Sequence, residues 1–136
     1  MNLTESVAKI LSHEAELSLD FYERFFDRIP QAETFFNGTN MRHQAAVLRM
    51  SLQIIEQYFT HRFEAIGDYL RVIGFKHLER EIPQELYAKW RDILLDTLKE
   101  FHGGEWTETL NLAWTDALNL SIDTMLEGYD RTSASI

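Results

Sequence analysis

Apolar residues recur at helical spacing along nearly the whole chain, and this periodicity limits the possible folds more than any other feature. They fall three and four positions apart, as Trp114, Ala117 and Leu118 do, which places them on one face of a helix. No stretch alternates convincingly between polar and apolar residues as a half-buried strand would. Only two prolines, Pro30 and Pro83, interrupt the pattern. We therefore expect an all-α chain of six or seven helices.

Capping residues and helix breakers set the expected boundaries. Thr4 is predicted to cap the first helix, and either Thr39 or Asn40 to cap the helix after the break FNGTN. Pro30 and Pro83 each suit the first turn of a helical segment. The first expected helix begins at residue 4, the second spans 18–28, and a short helical turn begins at 30. The next helix spans about 40–59, and the one after it ends near 80. A further helix runs from 83 to a stop at 103–104, and the last spans about 105–129. We expect one domain over 1–136, with a polar tail from about 131 that frays.

Composition excludes several classes of function. The chain of 136 residues is 45% apolar, with nine Phe, five Tyr and three Trp, so it can bury a substantial core. It has no cysteine, which rules out disulfides and fits a reducing compartment. A formal charge of −9 argues against nucleic acid and anionic membranes as partners. The acidic start does not resemble a signal peptide, and no apolar run approaches the roughly 20 residues of a transmembrane helix. We expect a cytoplasmic monomer or homodimer.

One of the five histidines, His77, stands near the end of an apolar-faced helix. Leu70, Ile73 and Gly74 align with it, and Gly74 would let a flat group approach the backbone. No histidine pair has the spacing of a multi-ligand zinc site. Heme needs only one strong protein ligand, because the porphyrin supplies four nitrogens. On position alone an ordinary core or surface histidine is the commoner case, so the heme hypothesis depends on the residues around it.

The opposite wall of such a pocket has its own candidates. Gln44 projects an amide from an apolar helix face with Leu48 one turn on, and Tyr22 adds a phenol among phenylalanines. Both could donate hydrogen bonds to a bound gas. Phe36, before the break, could stack on a flat ring. The alternative is a solvent-facing Gln44 and a core tyrosine at position 22, with Phe36 as core filling.

His43 is a second candidate for the position of Gln44. Adjacent helical residues point about 100° apart, so only one of the two can face the pocket, and the phase of Leu48 and Ile55 favours Gln44. On the His77 side, the Tyr87 hydroxyl could reach the second imidazole nitrogen and fix the ring. Lys76, Arg80 and Arg42 are candidates by location for the propionates of a heme.

Three stretches carry a resemblance to a known family. FYERFF resembles a distal-pocket helix, FFNGTNMRHQAAVL a corner and distal helix, and KHLEREIPQELYAKW a proximal segment. Together they make the chain similar to bacterial single-domain globins, including single-domain hemoglobins and the heme domain of flavohemoglobins, from about Thr4 to Tyr129. The amino-acid sequence of the second stretch is most similar to that of truncated hemoglobins. The full-length first helix and well-formed proximal helix nevertheless favour a three-over-three helical sandwich around heme.

The resemblance implies heme b (iron protoporphyrin IX) with His77 as the iron ligand. Tyr22, Gln44 and Leu48 are the implied distal residues that face a gas ligand. The residues implied to contact the cofactor are Phe36, Gln44, Leu48, Leu70, Ile73, Lys76, His77, Ile82, Tyr87 and Trp90.

The expected function is reversible binding of dioxygen and other diatomic gases, for transport or storage. The alternatives are a nitric oxide dioxygenase served by an external reductase, since no flavin or nicotinamide domain is expected, and a gas-sensing globin. Sensors usually precede an output domain, and none is expected after Tyr129. The competing class is a heme-free helical domain. In flavohemoglobins a glutamate should approach the proximal tyrosine, but that position falls near Tyr129, with Glu127 and Asp130 close by.

Overall fold

Six α-helices make up most of the residues that the structure describes. The computed structural model describes residues 1–13 and 15–130, and no strand occurs among them. The predicted all-α fold is therefore confirmed, whereas the tail predicted from about 131 lies outside the described residues. The helices are α1 (Leu3–Ser12), α2 (Glu16–Arg28), α3 (Met41–His61), α4 (Glu64–Glu79), α5 (Glu85–His102) and α6 (Glu108–Glu127), with 3-10 segments at Pro30–Phe36, Gly103–Glu105 and Gly128–Asp130.

The helices pack in two layers, three over three. One layer consists of α1, α3 and α4, in which α3 contacts both of the others. The other layer consists of α2, α5 and α6, in which α5 contacts both of the others. Across the layers, α2 packs on α3, while α3 and α4 both pack on α6. In the part of the chain that the structure describes, no helix is long and apolar enough to cross a membrane.

Two apolar clusters hold the layers together. The larger joins α1, α2, α3, α5 and α6 and includes the fully buried Phe21 and Trp114. The smaller joins α4, α5, α6 and the last 3-10 segment, and its buried members are Leu70, Tyr87, Ile122, Met125 and Tyr129. Trp90 packs against both clusters, so the space between them is bounded by the two cores.

The first helix begins differently from the prediction. Asn2, not Thr4, is its N-cap: the Asn2 side chain accepts a hydrogen bond from Glu5 N at 2.8 Å, and the Glu5 carboxylate accepts one from Asn2 N at 3.0 Å. This reciprocal pair satisfies two backbone donors at once, which a Thr4 cap would not do. The Thr4 hydroxyl instead donates to the buried carboxylate of Glu56 at 2.7 Å and so ties α1 to α3.

Two later boundaries are shifted by short irregular turns. Pro83 precedes α5 by two residues, in a turn closed by the bond from Leu86 N to Pro83 O. α6 begins at Glu108, with the Thr107 side chain capping Leu110 N, because the segment after Gly103 forms a 3-10 turn before it. The cap of α3 is as predicted for Asn40, whose side chain accepts from two backbone N–H groups.

The crossing of α4 and α6 depends on two glycines. A Cβ atom at Gly74 would lie 1.7 Å from the carbonyl oxygen of Met125, and one at Gly128 would lie 2.2 Å from that of Arg71. The hypothesis that Gly74 makes room for a flat group is therefore wrong, because the backbone of α6 fills that space. The absence of both side chains lets the two backbones touch.

Replacement of Gly74 by alanine should destabilise the fold by about 3 kcal/mol or more, because the clash of the new methyl group with the backbone of α6 can be relieved only by separating the two helices. Urea unfolding measures the change. Gly104→Ala is the matched control: nothing lies within 4 Å of its Cβ position, so its effect should stay within about 1 kcal/mol and favour the folded state. Equal effects of the two substitutions would contradict this account of the crossing.

A buried polar triad links α1, α5 and α6 in the larger core. The Ser6 hydroxyl lies 2.6 Å from His102 Nε2 and accepts a hydrogen bond from Trp114 Nε1 at 2.9 Å. His102 is only 3% exposed, and its Nδ1 has no partner among the described residues. Burial, and secondarily the charge of Lys9, lowers the pKa of His102. The fold therefore favours the neutral imidazole.

Acidification should destabilise the protein partly through His102. Its pKa in the folded chain is lower than the unfolded value of about 6.5, so the unfolded chain binds the proton more readily and stability falls as pH drops through and below that value. His102→Gln keeps a polar partner for Ser6 but does not titrate. Urea unfolding from pH 7.5 to about 5 should give a flatter profile for this variant than for the native chain or His61→Gln, an exposed control. Parallel profiles would rule out this role.

Candidate functional site

A cavity of about 340 Å³ lies between the two layers. Six elements line it: α2, the first 3-10 segment, α3, α4, α5 and α6. Its walls are mainly aromatic and aliphatic with a few polar groups, the usual character of a cofactor pocket. Val47 and Tyr69 are about half exposed and mark its open side.

The structure brings most of the predicted site residues together around this cavity. The residues that line it from the predicted set are Tyr22, Phe36, Gln44, Leu48, Leu70, Ile73, His77, Ile82, Tyr87 and Trp90. Lys76 is exposed on α4 and does not line it. His43 is likewise exposed on α3 and lies outside the lining, whereas Gln44 is inside it.

Arg80, one of the three candidates for the propionates, also lines the cavity, whereas Arg42 does not. Nine further residues line it that the sequence analysis did not name as site candidates: Phe25, Phe35, Val47, Ser51, Ile54, Ile55, Tyr69, Leu86 and Met125. Helical spacing could have found several of them, since 47, 51, 54 and 55 continue the face of Gln44 and Leu48. Met125 arrives from α6, and nothing in its local sequence marks it as part of the site.

On one wall, His77 is held by a hydrogen bond to Tyr87. His77 Nδ1 lies 2.7 Å from the Tyr87 hydroxyl. Burial, and to a lesser degree the nearby Arg80, lowers the pKa of His77, so its imidazole is neutral at physiological pH. Because Nδ1 is engaged by the phenol, Nε2 is the nitrogen left to act as a ligand.

Tyr87 in turn contacts Tyr129, which follows α6. Their rings meet edge to face with centroids 5.8 Å apart, and both are buried. The Tyr129 hydroxyl donates a hydrogen bond to the carbonyl oxygen of Ile82 at 2.8 Å. Burial raises the pKa of both phenols, and the contact with the Tyr129 hydroxyl raises that of Tyr87 further. Both tyrosines are therefore neutral.

On another wall, Gln44 and Tyr22 form the second polar pair. Gln44 Nε2 donates to the Tyr22 hydroxyl at 2.9 Å. Burial raises the pKa of Tyr22 to about 12, with the Gln44 hydrogen bond acting in the opposite direction. The Tyr22 hydroxyl thus keeps its proton at physiological pH. Phe36 packs edge to face on this ring with centroids 5.5 Å apart and limits its movement.

Arg80 bridges the cavity rim. It follows α4, lines the cavity, and its guanidinium donates to the carbonyl oxygen of Phe35 in the first 3-10 segment. A cation is therefore present at the edge of an otherwise apolar pocket. Such a group suits an anionic substituent on a flat ligand.

The ligands available fit heme. No group of three or more His, Asp or Glu side chains within the described ranges could hold a metal ion. A single neutral histidine in an aromatic-lined cavity can complete the coordination of an iron porphyrin, which brings four nitrogens of its own. The all-helical sandwich and this pocket together define a heme-binding class of protein.

The comparison with known families identifies that class. Residues 19–125 match the family model described as Globin, so the chain belongs to the globin family. The predicted resemblance to globins and the predicted globin fold are thereby confirmed. Membership supports binding of heme and of diatomic gas ligands.

Three individual relatives are 24–29% identical to this chain over their aligned residues. The chain is 29% identical over 122 residues to a flavohemoprotein of Vibrio cholerae, covering 86% of this chain and 30% of that protein. It is 25% identical over 124 residues to a flavohemoprotein of Halalkalibacterium halodurans, covering 90% and 30%. An anaerobic nitrite reductase of Solanum lycopersicum is 24% identical over 115 residues, covering 75% and 74%. The chain thus spans about 30% of the length of the two flavohemoproteins.

Proposed function

We propose that this chain is a single globin domain that binds heme b through His77 and binds dioxygen reversibly, for transport or storage. One observation carries the proposal: a single apolar cavity has the pair of His77 and Tyr87 on one wall and the pair of Tyr22 and Gln44 on another. Heme held there would supply the iron to which a diatomic gas binds, and a hydrogen-bond donor in the cavity would stabilise the partial negative charge of dioxygen.

His77 is the proposed iron ligand because its two nitrogens have separate tasks. In the tautomer that iron binding needs, the proton is on Nδ1 and is donated to the Tyr87 hydroxyl, whose oxygen lies 2.7 Å away, which leaves the lone pair of Nε2 for iron. Tyr87 is buried and its ring packs at a tilted angle against the imidazole, so this contact holds the imidazole in one direction. A preset ring direction lowers the entropic cost of binding the cofactor.

Tyr22 is the proposed donor to dioxygen. Its oxygen accepts from Gln44, so its own proton is free to point into the cavity. Its raised pKa keeps that proton in place. Gln44 therefore acts through Tyr22, by setting the direction in which the phenol donates. Leu48 and Phe36 exclude water from the same space.

Arg80 is the proposed partner of a heme propionate. The sequence offered Lys76, Arg80 and Arg42 for this role. We favour Arg80 because it lines the cavity, whereas Lys76 and Arg42 do not line it. Its bond to the Phe35 carbonyl holds the guanidinium at the rim.

His77→Gly should remove most of the bound heme, because no other residue on that wall offers an imidazole. The Soret absorbance per protein chain measures this loss. Imidazole added to the buffer should restore binding by filling the gap as a free ligand. His43→Gly is the control, since that exposed histidine lies outside the cavity, and it should retain full absorbance. Full heme content in the His77 variant would refute the proposed ligand.

Tyr22→Phe should speed dioxygen release about fivefold, which corresponds to loss of one hydrogen bond of about 1 kcal/mol. It should also hasten oxidation to ferric heme. Stopped-flow displacement of dioxygen by carbon monoxide gives the rate. Gln44 can partly replace the lost donor, so Tyr22→Phe combined with Gln44→Leu should release faster still. Tyr58→Phe, outside the cavity, is the control. Unchanged rates would contradict the role of Tyr22.

The second candidate is a nitric oxide dioxygenase with an external reductase, which would use the same residues. The similarity to two flavohemoproteins favours it. Nitrate formation from nitric oxide, measured with a supplied reductant, separates this activity from reversible dioxygen binding alone. Because one relative is named an anaerobic nitrite reductase, nitrite consumption without oxygen belongs in the same assay.

A further inference from the structure

A second cavity, of about 300 Å³, lies beside the main one, and the proposed function gives it no role. We call it the outer cavity. It is lined from α2, the first 3-10 segment, the turn after that segment and the start of α3, by Phe26, Pro30, Glu33, Thr34, Phe36, Asn37, Gly38 and Met41. Among the described residues only Phe36 lines both cavities, so its side chain belongs to the wall between them.

The outer cavity changes from polar at its exposed side to apolar at its floor. Glu33 and Thr34 are exposed, whereas the half-buried Phe26, Phe36 and Met41 form the floor and pack against the larger core. A charged solute moving inward would lose its hydration at such a floor, but a small apolar molecule would not be penalised. The lining therefore suits the passage of a dissolved gas.

The floor of the outer cavity lies next to the proposed gas-binding side chains. Phe26 is one helical turn after Tyr22 on α2, and Met41 is one turn before Gln44 on α3, so each pair shares a helix face. The ring of Phe36 lies between these helices, with its centroid 5.5 Å from that of Tyr22 and 5.3 Å from that of Phe26. Displacement of this one ring would join the outer cavity to the space beside the Tyr22 hydroxyl.

Phe36 can move its ring while its backbone stays in place. Thr39 N donates to the carbonyl oxygen of Phe36 at 2.9 Å, and Gly38 has a φ of 76°, which closes a type II turn directly after Phe36. The ring itself is only half-buried, and its contacts with Tyr22 and Phe26 are between aromatic rings. Side chains of this kind change rotamer quickly, so the wall can open briefly without unfolding of the segment.

We propose that the outer cavity is the passage by which a diatomic gas reaches and leaves the main cavity, and that the ring of Phe36 is its gate. This inference rests on the proposed function, because it takes the gas to bind beside Tyr22. The competing route is the open side of the main cavity at Val47 and Tyr69, both of which are about half exposed. Substitutions that narrow one route at a time distinguish the two.

Thr34→Trp should obstruct the outer cavity from an exposed position. After laser photolysis of the carbon monoxide complex of the heme-loaded protein, a larger fraction of the gas should rebind before it escapes. Binding from solution and release should both slow by about threefold or more and by the same factor, because an obstructed passage raises the barrier in both directions. The equilibrium affinity should therefore stay native.

Gln31→Trp is the matched control for this experiment. Gln31 is exposed in the same 3-10 segment but lines neither cavity, so the same added ring should leave both rates and the rebinding fraction native. Phe36→Leu gives the opposite test and serves if Thr34→Trp does not fold. A smaller gate should raise both rates and lower the fraction that rebinds.

Xenon gives a second readout that does not depend on gas binding at heme. Of the four methionines in the chain, Met41 lies on the floor of the outer cavity, whereas Met50 is exposed and lines neither cavity. In the carbon monoxide complex with isotope-labelled methionine methyl groups, xenon pressure should shift the NMR signal of Met41 but not that of Met50. Thr34→Trp should remove most of the Met41 shift.

Three results would overturn the proposal. They are native rates in both Thr34→Trp and Phe36→Leu, a Met41 signal that does not respond to xenon, and slower gas binding found in Val47→Trp but not in Thr34→Trp. A changed affinity in Thr34→Trp would also contradict it, since that result means a disturbed binding site. The proposed function fails separately, if His77→Gly retains its heme or the native protein binds no gas.

Discussion

The contact between the backbones of α4 and α6 is the constraint on which the site depends. Gly74 and Gly128 have no side chain, so the two helices approach until a carbonyl of one occupies the space of a missing Cβ on the other. His77 lies less than one turn beyond Gly74, and Tyr129 directly follows Gly128. The crossing therefore sets the distance between the element that carries His77 and the one that carries Tyr129. Tyr87 on α5 fills the space between them, and a wider crossing would separate Tyr87 from His77 or from the ring of Tyr129.

Much of the fold could be predicted from the spacing of apolar residues along the chain, because helical periodicity is a local property of the sequence. The spacing of apolar residues predicted every long helix. The face shared by Gln44 and Leu48 favoured Gln44 over His43, and of these two residues only Gln44 lines the cavity. The face argument worked because neighbouring helical positions diverge by about 100°, which leaves little freedom once the buried side is known. The same reasoning extends to Ser51 and Ile55, which also line the cavity.

What the sequence could not supply were contacts between distant segments. Gly74 has the same local signal whether it faces a ligand or a helix, and only the position of Met125 decides between them. Thr4 looks like a cap until the reciprocal bonds of Asn2 and Glu5 are seen. Met125 and Tyr129 reach the site by way of α6, some fifty residues after His77. Such partners are set by packing, which leaves no fixed spacing in the chain.

The two polar pairs of the cavity follow one rule: the hydrogen bond within each pair leaves one group free toward the cavity. Gln44 occupies the oxygen of Tyr22 and so frees its proton, while Tyr87 occupies one nitrogen of His77 and so frees the other. An unpaired phenol or imidazole in this apolar setting would cost roughly 1–3 kcal/mol in desolvation. Pairing removes most of that cost and also fixes direction, so the cavity has a hydrogen-bond donor on one wall and an electron-pair donor on another. Because both pairs are neutral, the cavity can stay apolar enough to exclude water.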